Sequence, residues 1–202
     1  MNNRSKAINN SKSNDIKEEK ETISPYLIWL DMEMSGLNPE TEAILEVALI
    51  VTDNELNIID QLDSIVINQP DDILSKMDSW NNAVHTKSGL VARVQTSTTA
   101  IADAEKVIVD FIKKYAKKGS APLCGNTIYQ DRKFIIKYMP ALESFLHYRL
   151  IDVSTLKELA KRWYPNMPAF EKHNKHEALA DVIESIEELK HYRKHLLIDS
   201  NS

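Results

Sequence analysis

Four acidic residues and one histidine, spread over three separated segments, carry the chemistry this chain could perform. Asp31 and Glu33 lie in LIWLDMEMSGL, Asp131 in CGNTIYQDRKF, and His176 with Asp181 in KHEALAD. Asp31 and Glu33 are two residues apart at the end of an apolar run, so on a strand they project from the same face. Burying two carboxylates side by side is strongly unfavourable unless something positive neutralises them. A pair of divalent cations does that, and Mg²⁺ or Mn²⁺ prefers hard oxygen ligands with spare water. Asp131 and Asp181 would complete a four-carboxylate cage and leave His176 as a general base. Such a set points to two-metal phosphodiester hydrolysis.

Each piece also has an ordinary alternative. An acidic pair at a strand end can be a solvated turn, although the preceding Leu27-Ile28-Trp29-Leu30 puts this pair at the mouth of a buried strand, where α/β sheets gather ligands. Asp131 alone could be a surface helix residue; the polar Gly125-Asn126-Thr127 turn ahead of it gives it weight. His176 and Asp181 are five apart, about 140° around a continuous helix, so they cannot share one face. The chemistry instead wants Asp181 early on a helix and His176 on a segment before it; the bland alternative is a histidine at a helix N-terminus. A zinc pair from His173 and His176 lacks further soft ligands. Glu46, in an apolar run, could be a fifth acid, but a hydrogen-bonded core role suits it better.

The elements that must position these groups can be traced along the chain. Residues 1–24 are polar and rich in Asn, Ser, Lys and Glu, the composition of a disordered extension, ahead of a domain spanning 25–198. Three strand-like runs follow, Tyr26–Met32, Ala43–Thr52 and Ile58–Ile67, separated by turn residues, so they predict an antiparallel meander. A mixed helical stretch covers Asp71–Arg93, Thr99–Lys118 predicts a long amphipathic helix, and Ala121–Cys124 a short buried strand. Helices are predicted over Tyr129–Tyr138, stopped by Pro140, over Ser154–Trp163 with Asp152 or Ser154 as cap, and over Glu177–Leu197. Strands, a helix, a strand and further helices indicate an α/β fold with a mixed sheet flanked by helices.

Composition sets the outer bounds. The 202 residues, 43% hydrophobic and 27% charged, fit one domain with a sizeable core. No apolar run approaches the roughly 20 residues of a membrane helix, and the N-terminal stretch has no hydrophobic segment of the secretory kind. The single cysteine, Cys124, suits a reducing compartment, so a cytoplasmic location is expected. Net charge is −5; residues 1–24 carry five basic against four acidic residues, which leaves about −6 on the body. Long polyanions are held by basic surface that displaces counterions. None is evident, so long-polymer binding is not expected, and a short substrate held at a metal centre fits better.

Order and spacing together are more specific than any piece. The arrangement resembles the DEDD superfamily of 3′-to-5′ exonucleases, in the subgroup whose last motif is His-x-x-x-x-Asp, and within it the oligoribonuclease family. WLDMEMSGL, SWNNAVHTKSGL, CGNTIYQDRKFIIKYMP and HYRLIDVSTLKELAKRW carry that resemblance, which spans about residues 26–195. It implies a ribonuclease H-like fold and a homodimer that degrades very short RNA, dinucleotides above all, to mononucleotides. By matching position, Asp31, Glu33, Asp131 and Asp181 would hold two Mg²⁺ or Mn²⁺ ions, and His176 would deprotonate the attacking water. Leu37, Trp80 and His85 would contact or wedge the bases. Thr127, Arg149 and Ser154, with Tyr148 from the partner subunit, would surround the substrate's 5′ phosphate, a closed end that limits length. Thr127 stands where the family pattern has serine, which keeps the hydroxyl, and Tyr164–Lys175 is slightly shorter. The competing expectations are a relative acting on longer RNA or DNA ends, a catalytically idle dinucleotide sensor, and a purely structural protein.

Overall fold

The computed structural model of the protein describes residues 24–172 and 177–197. Almost all of the polar extension, and His173 and His176, lie outside the described residues. Five strands form one sheet: β1 (Tyr26–Met34), β2 (Ile44–Asp53), β3 (Ile58–Val66), β4 (Leu123–Gly125) and β5 (Leu150–Asp152). Their order across the sheet is β3-β2-β1-β4-β5. The first three are the expected antiparallel meander, whereas β4 runs parallel to β1 and β5 parallel to β4. The sheet is therefore mixed, as expected. The C-terminal ends of β1, β4 and β5 share one edge, the edge where parallel sheets collect ligands.

Eight helices accompany the sheet among the described residues: α1 (Asp71–Leu74), α2 (Ser79–Lys87), α3 (Leu90–Thr96), α4 (Ile101–Ile112), α5 (Tyr129–Tyr138), α6 (Pro140–Phe145), α7 (Val153–Trp163) and α8 (Ala178–Leu196). Period-2 alternation along β1 and β2 sorts their side chains between two cores. Ile28, Leu30, Met32, Val47, Leu49 and Val51 pack against Ile108, Ile112, Phe134 and Ile135 of α4 and α5. Trp29, Ala48 and Ile50 face α7 and α8 through Val153, Ala160, Val182 and Ile186. With helices on both faces, β2 is buried from Ile44 to Thr52. The buried indole of Trp29 donates to Thr52 Oγ1 at 3.0 Å, which leaves no orphan donor there.

Several elements differ from expectation. β1 continues two residues further, to Met34, so Glu33 lies within the ladder opposite Glu46. The 71–93 stretch divides into three short helices, and Gly89, with a positive φ of 75°, separates α2 from α3. α4 ends at Ile112 rather than Lys118. β5 and α6 are additional. Pro140 does stop α5, but it also opens α6, since its fixed φ is suited to a first helical turn.

Candidate active site

The alternation that puts Trp29 on the α7/α8 face puts Asp31 and Glu33 there too, at the end of β1. Asp181, in the first turn of α8, meets them: one carboxylate oxygen from each of Asp31, Glu33 and Asp181 lies within 4.8 Å of the others. Asp131 enters from the first turn of α5 and is only 5% exposed. Its Oδ1 accepts the Met32 backbone N–H at 3.0 Å, a bond that fixes α5 to β1 between the two β1 acids. Asp131 thus adjoins the triangle, tied to the same strand.

Gly125 makes this approach possible. A Cβ there would stand 2.9 Å from the Leu30 carbonyl oxygen, so only glycine lets β4 close on β1 at this edge.

The cluster gathers buried carboxylates of like charge. Burial, and then the charges of Asp131, Glu33 and Asp181, hold the Asp31 carboxyl well above its ordinary range; Lys172 opposes this. Burial, then Asp181 and Glu46, push Glu33 up to about 7, with Arg93 pulling the other way. Asp131 rises to about 8, mainly through burial, against the stabilising backbone hydrogen bonds it accepts. Lys172 and Arg93 do not offset the repulsion. Gathered carboxylates with hard oxygen donors and uncompensated charge fit divalent cations of the Mg²⁺ or Mn²⁺ class.

Two groups of side chains lie on elements that adjoin the cluster. Leu37 and Trp80 are 72% and 61% exposed, so neither is a core residue. The Leu37 carbonyl accepts a hydrogen bond from the Gln130 side-chain amide of α5. His85, on α2 with Trp80, lies beside Glu33. It is 2% exposed, its Nε2–H donates to the Met34 carbonyl at 2.9 Å, and its Nδ1 lies 3.8 Å from Glu33 Oε2. The ring thereby ties α2 to the end of β1.

The second group lies at the ends of β4 and β5. Thr127, with φ of 53°, turns the chain from β4 into α5 in the left-handed region, which strains a β-branched residue by about 1–3 kcal/mol. Its N–H donates to Asp152 Oδ1 at 2.9 Å and Ser154 Oγ at 2.8 Å, which holds the turn. The two hydroxyls, Thr127 Oγ1 and Ser154 Oγ, are 3.0 Å apart. Asp152 is the cap of α7, accepting from the Ser154 N–H. Tyr148 and Arg149 are exposed on the loop before β5, the guanidinium 5.2 Å over the tyrosine ring. Arg132 orders that loop, its Nη1 donating to the carbonyls of His147 and Tyr148, each at 3.0 Å, and its Nη2 to Glu143 at 2.7 Å.

Sequence reasoning missed Arg132, Gln130 and Lys172. Arg132 and Gln130 flank Asp131, and that adjacency was the available signal; Lys172 had none beyond its position ahead of His176. Glu46 is 2% exposed and is held by Arg93, Nη1 to Oε1 at 2.6 Å, which is the core role expected of it.

Comparison with known proteins bears on this site directly. The exonuclease family model matches residues 28–189. An oligoribonuclease of Ralstonia nicotianae is 53% identical over 174 residues, covering 86% of this chain and 80% of that protein. An oligoribonuclease of Nitrosomonas europaea is 55% identical over 174 residues, covering 86% and 96%. Among solved structures, exonuclease I of Methylocaldum szegediense aligns with a TM-score of 0.66 at 16% identity over 85% of this chain. Escherichia coli exonuclease I in complex with a dA16 oligonucleotide aligns with 0.65 at 16% over 85%. The chain spans 41% of each of those structures, and the likeness is one of fold, the ribonuclease H-like arrangement. With a matched family model over most of its length and relatives above half identity, the chain belongs to the exonuclease family and, within it, to the oligoribonucleases.

Proposed function

We propose that this protein is a 3′-to-5′ exoribonuclease that degrades very short RNA, 5′-phosphorylated dinucleotides above all, to mononucleotides by two-metal-ion hydrolysis. The observation that carries this reading is the convergence of Asp31, Glu33 and Asp181 within 4.8 Å at the sheet edge that also carries the Thr127–Ser154 hydroxyl pair. Two Mg²⁺ or Mn²⁺ ions held by Asp31, Glu33, Asp131 and Asp181 would supply Lewis acidity toward the attacking water and the leaving 3′ oxygen. The protein's own residues do the rest. Asp131, pinned by the Met32 N–H, and Glu33, set within the β1 ladder, hold donor oxygens in place. His176, outside the described residues, takes the proton of the attacking water, a role suited to an imidazole near neutral pH.

Leu37 and Trp80 offer exposed apolar surface to the bases, and His85, on the helix of Trp80 and next to Glu33, contacts the same end of the substrate. Thr127, Ser154 and Arg149 receive the 5′ phosphate through the hydroxyl pair and a guanidinium. Tyr148 completes the phosphate end in the partner subunit of a homodimer, for which its 69% exposure leaves it available. A phosphate enclosed at one end and a scissile bond fixed at the other leave room for little more than one linkage. No helix among the described residues is long and apolar enough to cross a membrane. We assign the protein to the reducing cytoplasm, where buried Cys124 stays a thiol.

The test is release of mononucleotides from a 5′-phosphorylated RNA dinucleotide, with Mn²⁺ and then with excess EDTA. Hydrolysis that stops on chelation is expected. Binding without product release, or cleavage indifferent to EDTA, would sink the reading.

A further inference from the structure

Outside the carboxylate cluster, Glu188 on α8 is 1% exposed and bonded on several sides. Its Oε2 lies 2.9 Å from Lys172 Nζ and accepts from Asn126 Nδ2 at 2.9 Å. Its Oε1 accepts from Tyr192 Oη at 3.0 Å and lies 3.6 Å from Lys157 Nζ. Burial pushes the carboxyl up, but Lys172 and the Tyr192 hydroxyl outweigh it and hold the group below its ordinary range. A buried ionic network of this kind adds little net stability over apolar packing; its use is to fix geometry. What it fixes here is Asn126. That amide also donates to Ser185 Oγ at 2.8 Å, so its oxygen is left facing Ser154 Oγ at 3.3 Å. Asn126 immediately precedes Thr127 in the strained turn, and Ser154 is the hydroxyl paired with Thr127.

Asp181 and Glu188 are seven residues apart on one helix, almost two full turns, so they lie on one stripe about 10 Å apart along the axis. The first joins the metal cluster and the second grips the turn of the hydroxyl pair. Lys172, the ion-pair partner of Glu188, also acts on Asp31. A single rigid helix thus spans the two ends of the site.

We propose that Glu188 is a positioning residue that fixes the Asn126–Thr127 turn to α8, and so sets the span between the metal cluster and the hydroxyl pair that receives a terminal phosphate. This rests on the phosphate-receiving role given to Thr127 and Ser154 above. The substrate class it selects is an oligonucleotide whose terminal phosphate lies one linkage from the scissile bond. Glu188 touches neither the substrate nor the reacting atoms; it acts through Asn126.

The experiment compares kcat/KM for a 5′-phosphorylated RNA dinucleotide and for the same dinucleotide lacking that phosphate. It uses the wild type, Glu188→Leu, Glu188→Gln and Asn126→Ala, with Mn²⁺ binding measured by calorimetry for each. Glu188→Leu should lose about tenfold or more on the phosphorylated substrate, with little change on the other, and with Mn²⁺ affinity unaltered. Glu188→Gln keeps an oxygen for Asn126 and should restore most of the preference. Asn126→Ala cuts the link from the other side and should reproduce the selective loss, which decides the matter if Glu188→Leu fails to fold. Equal losses on both substrates, or an unchanged preference in Glu188→Leu and Asn126→Ala, would overturn the positioning role. A wild type indifferent to the 5′ phosphate would overturn the phosphate-end reading first, and this proposal with it.

Discussion

Replacing Glu33 by glutamine should stabilise the metal-free protein while abolishing its activity. The Glu33 carboxyl has an ordinary value of 4.5 and is raised to about 7 in the fold, by burial first and by Asp181 and Glu46 next. A group whose folded value is raised favours the folded state below its unfolded value, and that contribution is lost as pH climbs to the folded one. The window here runs from about pH 4.5 to about 7. At about 1.36 kcal/mol per pH unit, keeping Glu33 ionised above that window costs about 3 kcal/mol, and solvent at its 13% exposed side chain trims this. Glutamine carries no such cost. In EDTA at pH 8, Glu33→Gln should melt several degrees above the wild type, at about 2–4 °C per kcal/mol for a chain of this size. Near pH 5 most of the difference should vanish. Mn²⁺ at a thousand times its Kd should reverse the order, because it adds about 4.1 kcal/mol to the protein that binds it. Differential scanning calorimetry of both proteins, with and without Mn²⁺ at the two pH values, reads all of this. A variant less stable than the wild type at pH 8 without metal, or equal Mn²⁺ stabilisation of both proteins, would refute the reasoning.

Three further outcomes follow from the geometry. Asp181→Ala removes one corner of the carboxylate triangle and should abolish hydrolysis with the circular dichroism spectrum intact; turnover near that of the wild type would remove Asp181 from the metal site. His176→Ala should lose about 100-fold or more in kcat, the usual worth of a positioned base, and unchanged rates across pH 6–9 would rule it out. Arg149→Ala should weaken the 5′-phosphorylated dinucleotide more than its unphosphorylated form, and equal effects on both would detach Arg149 from phosphate recognition.

Much of the architecture was legible because long periodic segments carry their own signal. The meander, α5 and α8 fall where alternation and helical spacing put them. The misses were short or decided by distant contacts. β5 is three residues, Leu150–Asp152, and becomes a strand only because β4 offers it a parallel partner. The expected extension of α4 to Lys118 fails because Tyr115 leaves the helix to pack edge-on against Tyr26 of β1. In the site, Asp31 and Glu33 were readable from an apolar run ending in acids. Glu188 was not, since a lone glutamate on an amphipathic helix looks like its solvated face. Its burial depends on Asn126, Lys157 and Lys172, which are far from it in sequence.

The central claim is that a metal centre and a closed phosphate end together restrict this enzyme to very short RNA. The most direct measurement is the rate of hydrolysis of 5′-phosphorylated RNAs from two to seven nucleotides, each at the same concentration, in Mn²⁺ and in EDTA. The dinucleotide should be cleaved fastest, rates should fall steeply from three nucleotides onward, and EDTA should stop every reaction. Longer rungs cleaved as fast as the dinucleotide would contradict it.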